Sequence, residues 1–241
     1  MLELEKISKI IIANWKLHGS IKFVKEYLEK LTFVRSDNEK SLVVCAPSTL
    51  IQNLKTDKFY LGAQDCSNYS SGAYTGEISS ELLREIGCSF CIVGHSERRN
   101  IFKEDHKIIL EKIENLIKSK IIPIFCIGEN LQQMKENLTN DVLKNQIQKS
   151  LPKNLDLSKI IIAYEPVWSI GTDLIPSVEQ IEKSHNFIKK NIFNSSKLKV
   201  VYGGSVKASN YKKIIDLDSV DGLLVGGASI NLDEFNKIVK F

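Results

Sequence analysis

Hydrophobic positions along the chain form eight short runs that read as β-strands, each followed by a segment of helical or helix-like character. The runs are rich in β-branched residues and apolar at successive positions, which is typical of parallel strands buried on both faces. The predicted strands cover residues 9–13, 42–46, 59–63, 90–93, 121–127, 160–163, 198–202 and 222–225. The clearest helices are predicted around 23–31 and over 78–86, 104–119, 177–190 and 232–239.

The strict alternation of strand and helix predicts one α/β domain spanning residues 1–241. Eight such units are the number that closes a (β/α)8 barrel, and the length fits. An open doubly wound sheet is the alternative, and it usually has a G-x-G-x-x-G turn after the first strand. That position here is N-W-K-L-H-G, at residues 14–19, which favours the closed barrel.

The segment after the sixth predicted strand contains a candidate general base. Glu165 ends the strand, and Pro166 turns the chain into a loop that runs to about residue 176. The loop carries Trp168 and Gly171, and Ser177 is placed to cap the next helix. A carboxylate at the root of an apolar, flexible flap suits proton transfer, while an ordinary loop with a surface glutamate remains the alternative for this segment alone.

Other reactive side chains also follow predicted strands. Asn14 and Lys16 follow the first strand, His95 and Glu97 the fourth, and Glu165 the sixth. In a closed barrel all strand carboxyl ends open onto one face, so these residues are expected to converge.

Glycine-rich turns follow the last two strands. Gly203–Gly204–Ser205 follows the seventh strand and Gly226–Gly227 the eighth, where barrels bind phosphate through backbone N–H groups. The substrate is therefore predicted to be a phosphate monoester. Neither turn resembles a phosphoryl-transfer loop and no acidic cluster for magnesium is evident, so proton transfer next to a carbonyl is the chemistry left to these residues.

Composition narrows the classes of partner. With 43% hydrophobic and 26% charged residues, a net charge of +4 and scattered lysines, nucleic-acid and membrane binding are not expected. The four histidines show no metal-ligand spacing, so neither a metal nor an organic cofactor is predicted. Five cysteines, mostly inside apolar runs, are expected to be buried and reduced, which together with the lack of a signal-peptide core favours a cytoplasmic protein.

Five motifs together resemble the triosephosphate isomerase family. They are N-W-K at 14–16, G-H-S-E-R-R at 94–99, A-Y-E-P-V-W-S-I-G-T at 163–172, Y-G-G-S-V at 202–206 and L-V-G-G-A-S at 224–229. The resemblance implies a TIM barrel that interconverts dihydroxyacetone phosphate and D-glyceraldehyde 3-phosphate in glycolysis and gluconeogenesis. It also implies Glu165 as the base and His95 as a neutral imidazole that polarises the carbonyl.

The resemblance assigns further roles residue by residue. Lys16 would neutralise substrate charge, Asn14 would hydrogen-bond the substrate, and Glu97 would pair with the lysine. Backbone N–H groups would bind the phosphate at Gly171, Ser205, Gly226 and Gly227. Within the long loop at 64–77, residues 72–76 would enter a neighbouring subunit, where Thr75 braces the active site of a homodimer.

Two positions depart from the family pattern. Asp65 stands where an asparagine is common, so a cationic partner is expected for it. The far hinge of the flap, residues 172–175, lacks a glycine that often follows the threonine, so turnover is expected to be affected rather than the reaction. Two other functions remain: a related phosphosugar isomerase or epimerase, and a non-catalytic barrel that binds a phosphometabolite.

Overall fold

The protein is a closed barrel of eight parallel strands that pair in chain order, with the eighth strand paired back to the first. The structure, a computed structural model, describes residues 3–33, 40–172 and 174–240. The strands, β1 to β8 in chain order, are Lys9–Asn14, Lys40–Cys45, Tyr60–Ala63, Phe90–Val93, Ile122–Ile127, Ile161–Tyr164, Lys199–Tyr202 and Gly222–Val225. The predicted fold class, a (β/α)8 barrel in a single domain, is confirmed.

Helices alternate with the strands around the outside of the barrel. The α-helices α1 to α9 are Ile21–Lys30, Ser80–Glu85, Ser96–Asn100, His106–Lys118, Leu131–Lys135, Thr139–Ser150, Val178–Asn186, Tyr211–Ile215 and Leu232–Ile238. Short 3-10 turns are Leu4–Lys6, Ser48–Leu54, Leu157–Lys159, Val167–Ser169 and Gly227–Ile230, and a π-helical turn, Phe187–Phe193, extends α7.

The strands are buried on both faces, as their sequences predict. In β1, Ile10 and Ile12 point into the barrel with Phe90 and Ile124, while Ile11 belongs to the layer between sheet and helices. Side chains alternate along a strand, so one apolar run supplies both layers. Filling both layers holds the strand ends, and the loops that leave them, in fixed positions.

Helix starts depend on local polar side chains. The Ser177 hydroxyl accepts the Gln180 N–H and the Gln180 side chain accepts the Ser177 N–H, so the predicted cap of α7 is present. Helix α3, Ser96–Asn100, is an addition to the predicted helices, since its sequence has no apolar periodicity. The His95 side chain caps it, and that contact depends on the tertiary fold.

The expected cationic partner of Asp65 is a pair of residues. Lys112 Nζ lies 2.7 Å from Asp65 Oδ1, and Arg98 Nε lies 2.9 Å from Asp65 Oδ2. Glu104 accepts from the same two cations, at 2.6 Å from Lys112 and 2.5 Å from Arg98. Burial opposes the charge on Lys112, but the two carboxylates outweigh it and raise its pKa. This four-residue charge cluster joins the loop after β3 to helix α4.

Candidate active site

A cavity of about 560 Å³ opens at the carboxyl end of the barrel. Three strand ends bring side chains to its wall: Asn14 and Lys16 at the end of β1, His95 after β4 and Glu165 after β6. The remaining predicted phosphate ligands line the same cavity: Gly171, Ser205, Gly226 and Gly227. The barrel thus brings together residues that are far apart in sequence.

Glu165 is almost completely buried, with 2% of its surface exposed. It follows β6 directly, and its N–H donates to the Ile127 carbonyl at 2.7 Å, which fixes the backbone. Carboxylate Oε2 accepts the Ser96 N–H at 3.4 Å. Oε1 lies 3.3 Å from His95 Nε2 but has no partner in hydrogen-bond geometry among the described residues. The carboxylate therefore keeps an uncommitted oxygen beside the imidazole.

The ring of His95 is held in one tautomer by its role as the cap of α3. Nδ1 accepts the Glu97 N–H at 3.2 Å, so it must carry a lone pair. A neutral ring then places its single proton on Nε2, the nitrogen that faces Glu165.

Lys16 is held at the rim of the cavity by its neighbours. Its Nζ lies 2.5 Å from Glu97 Oε1, and its N–H donates to Asn14 Oδ1 at 3.0 Å. Its backbone has φ of 52°, a left-handed conformation that costs a non-glycine residue about 1 kcal/mol. Burial opposes ionisation of Glu97, but the hydrogen bond from Lys16 and the charge of Lys16 lower its pKa. The ion pair therefore keeps a cation beside Asn14 and His95.

The two glycine turns and the flap supply backbone N–H groups. Gly171 has φ of 68°, and its N–H has no acceptor in the described part of the chain. The Ser205 N–H donates to Ser169 Oγ at 3.3 Å, so a ligand there would have to replace this bond. Gly203 leaves room for Glu165, because a Cβ at this position would lie 2.9 Å from Glu165 Cγ.

The sequence reasoning missed the group that anchors the flap. Glu129, 1% exposed, accepts from Trp168 Nε1 at 2.9 Å and from the Tyr164 hydroxyl at 3.2 Å. Burial raises the pKa of Glu129 and these hydrogen bonds partly offset the effect. Glu129 follows β5 as Glu165 follows β6, and that position was its only signal in the sequence.

The far end of the flap is exposed. Leu174 and Ile175 are 50% and 46% exposed although both are apolar. Thr172 Oγ1 donates to the Trp168 carbonyl at 2.8 Å. Within the predicted hinge, Asp173 lies outside the described residues. The flap is thus attached firmly at Trp168 and loosely at its far end.

Thr75 does not line the cavity of its own chain. It lies in an exposed part of the loop after β3, next to Tyr74, whose ring stacks on Tyr69 with the centroids 3.6 Å apart. A separate cavity of about 480 Å³ lies beside the site, with Lys16, Glu97 and Asp65 in its wall. Glu97 therefore reaches the active site through Lys16, from this neighbouring cavity.

The described residues contain neither a group of side chains that could hold a metal ion nor a helix able to cross a membrane. Within 3–33, 40–172 and 174–240, no three or more His, Cys, Asp or Glu side chains are grouped so that they could hold a metal ion. None of the helices in those ranges has the length and apolar character needed to cross a bilayer.

Known proteins resemble this chain over nearly its whole length. A family model described as triosephosphate isomerase matches residues 9–241. Triosephosphate isomerase of Francisella philomiragia is 38% identical, with 97% of this chain and 96% of the relative covered. That of Mycoplasma mobile is 39% identical, with coverage of 96% and 99%.

A solved structure agrees with these sequence relatives. The crystal structure of triosephosphate isomerase from Bartonella henselae superposes with a TM-score of 0.87 at 32% identity and covers 96% of this chain and 97% of its own. The extent of these matches, with the closed barrel and the cavity at its carboxyl end, shows that the chain belongs to the triosephosphate isomerase family.

Proposed function

We propose that this chain interconverts dihydroxyacetone phosphate and D-glyceraldehyde 3-phosphate, with Glu165 as the base. The family supplies the reaction. One observation carries the assignment of roles: the free carboxylate oxygen of Glu165 lies 3.3 Å from His95 Nε2 in the cavity that Lys16 also lines. A three-carbon substrate between these groups would touch all three.

The proton transfers follow from these positions. Glu165 takes a proton from C1 of dihydroxyacetone phosphate, and the electron pair moves onto the carbonyl oxygen to form an enediolate. The His95 Nε2–H donates to that oxygen, and the Lys16 ammonium stabilises the negative charge. Glu165 then returns its proton to C2, while the proton of the C1 hydroxyl passes by way of His95 Nε2 to the oxygen on C2. C1 thereby becomes the aldehyde and C2 carries the hydroxyl. The isomerisation therefore needs no oxidant or reductant besides the substrate itself.

The phosphate site is assigned to the backbone. The N–H groups of Gly171, Ser205, Gly226 and Gly227 would donate to the phosphate, and Asn14 would hydrogen-bond the substrate. Because the Gly171 N–H has no other acceptor, closure of the flap over a phosphate would satisfy it. Closure would also cover Leu174 and Ile175 and exclude water, which protects an enediolate from losing its phosphate.

The proposed assembly is a cytoplasmic homodimer. The loop with Thr75 is exposed, and the 480 Å³ cavity beside Lys16 has space for a loop of another copy. In this arrangement Thr75 of each chain would brace Asn14 and Lys16 of the other. Five buried, unpaired cysteines suit the reducing cytoplasm.

The test is a coupled assay of the purified protein with either triose phosphate and no added metal. Glu165→Asp withdraws the carboxylate by about 1 Å, so kcat is expected to fall on the order of 10²-fold with an unchanged fold. Glu179→Asp, an exposed change on α7, is the matched control and should leave kcat as it is. An unchanged kcat in Glu165→Asp would remove Glu165 from the role of base.

The assay also separates the remaining alternative. A non-catalytic barrel that binds a phosphometabolite is not favoured, because the family is established and Glu165, His95 and Lys16 are all present. Negligible turnover by a folded protein that still bound triose phosphate would reverse that choice.

A further inference from the structure

A larger cavity, of about 670 Å³, opens at the end of the barrel opposite Glu165. Its wall is built where strands begin: Tyr60 is the first residue of β3, Ile122 is the first of β5, and Lys159 lies in the turn before β6. None of its lining residues lines the active-site cavity. Its volume lies in the range of small-molecule sites, which is roughly 300–1,000 Å³.

Basic side chains dominate the rim of this cavity. They are Lys6, Arg84, Lys118, Lys120 and Lys159, against a single lining carboxylate, Glu3. Glu3 lies 2.6 Å from Lys6, and Asp156 lies 3.3 Å from Lys159. The side chains of the other three cations have no ion pair or hydrogen bond to any described residue. The rim therefore carries an unmatched positive charge.

The interior of the same cavity is partly apolar. Ile117, Ile121 and Ile122 line it together with Tyr60, whose ring lies 5.8 Å from that of Phe90. Ile117 and Ile122 remain partly accessible. A ligand suited to this wall has a flat or apolar body as well as negative charge.

Stability does not account for this arrangement. The amino-terminal face of a barrel ordinarily serves stability, and like charges around one cavity repel each other. The chain as a whole is close to balance, with 33 basic and 29 acidic residues, so this concentration of cations is local.

We propose that this cavity is a second ligand site, which binds a nucleoside triphosphate or a close relative. The base would lie on the isoleucine and tyrosine wall, and the phosphates would meet Arg84, Lys118 and Lys120 at the rim. Charge-assisted hydrogen bonds to phosphate oxygens would then give these cations the partners that they lack in the protein.

The test is calorimetric titration with ATP at low salt without magnesium, with the active site saturated by triose phosphate. One ATP is expected to bind per chain. In the double variant Lys118→Gln/Lys120→Gln the affinity is expected to fall at least about tenfold. The matched control is Lys22→Gln/Lys25→Gln, which removes the same charge from exposed positions on α1 and should bind ATP as the unmodified protein does.

Enzyme kinetics of the variants and titration with a second anion serve as controls for this experiment. Both double variants should keep kcat and KM for triose phosphate, which shows that they are folded. Tripolyphosphate, the charged part alone, is expected to bind roughly tenfold more weakly than ATP. Equal affinity of the two anions would overturn the role of the apolar wall. No binding of ATP at millimolar concentration, or equal loss in both double variants, would overturn the site.

Discussion

Hydrogen bonds from immediate neighbours fix the orientation of individual side chains in the active site. His95 is oriented by the Glu97 N–H at 3.2 Å, and Glu165 by the Ser96 N–H at 3.4 Å. Both constraints come from the first turn of α3. A five-residue helix with no apolar pattern thus sets the relative position of the proposed acid and base.

Gly203 provides the space that Glu165 occupies. In Gly203→Ala the new methyl group would lie 2.9 Å from Glu165 Cγ, so the carboxylate must move away from His95. We expect kcat to fall about tenfold or more, with a smaller change in KM. Steady-state kinetics of a double-mutant cycle checks the cause. Glu165→Asp should cost less in the Gly203→Ala background than alone, and simple additivity would contradict the steric explanation.

His185 gives the fold a dependence on pH. It is fully buried, and burial lowers its pKa from 6.5 to about 3, although Nδ1 lies 3.2 Å from the Ser219 carbonyl. Between pH 6.5 and 3 the unfolded chain therefore binds a proton that the native protein does not bind. Stability is expected to fall as the pH falls through this window, by about 2 kcal/mol between pH 6.5 and 5.

Urea unfolding at fixed protein concentration, repeated from pH 7.5 to 5, measures this effect. The variant His185→Gln should have lower stability at pH 7.5, because a buried ring is lost, but a shallower dependence on pH. His18→Gln, at an exposed position, is the control and should keep the unmodified slope. If His185→Gln kept that slope as well, the dependence on pH would come from other groups.

At the scale of elements, helices are joined to the loops of the active-site end by buried charge. The charge cluster of Asp65, Arg98, Glu104 and Lys112 links α4 to the loops after β3 and β4. Lys112 is the more buried of the two cations, with 4% of its side chain exposed. Its loss would leave two carboxylates with one guanidinium between them.

Lys112→Met is therefore expected to lower the free energy of unfolding by about 3–5 kcal/mol, since an uncompensated buried charge remains. Lys107→Met is the matched control on the same helix, where the lysine side chain is 82% exposed, and should cost less than about 0.5 kcal/mol. Chemical denaturation of both variants measures the difference. Similar small losses in the two would mean that the cluster contributes little to stability.

The sequence predicts elements better than it predicts contacts. Apolar runs and motif positions were enough to place the eight strands and to expect Asn14, Lys16, His95 and Glu165 at one end of the barrel. The Glu129–Trp168 anchor and the Ser96–Glu165 hydrogen bond were missed, because each joins segments that no local pattern connects. The partners of Asp65 could not be predicted from the sequence either, because Lys112 lies on α4, far from Asp65 along the chain.

For the whole molecule, the proposed dimer makes activity depend on concentration. If Thr75 of one chain braces Lys16 of the other, a separated subunit lacks part of its active site. Dilution is expected to reduce specific activity in step with the fall in mass measured by light scattering. Full activity in a sample shown to be monomeric would contradict the exchange of loops.

The pairing of β1 with β8 has a consequence for biosynthesis. Ile12 of β1 pairs with Leu224 of β8, so one edge of β1 stays uncovered until β8 has been synthesised. β8 is synthesised after the other seven strands, and until it pairs the growing polypeptide exposes an open sheet edge. Lys16 and Gly226 lie on either side of that seam, so the cavity that both residues line cannot form during synthesis before β8 has joined the sheet.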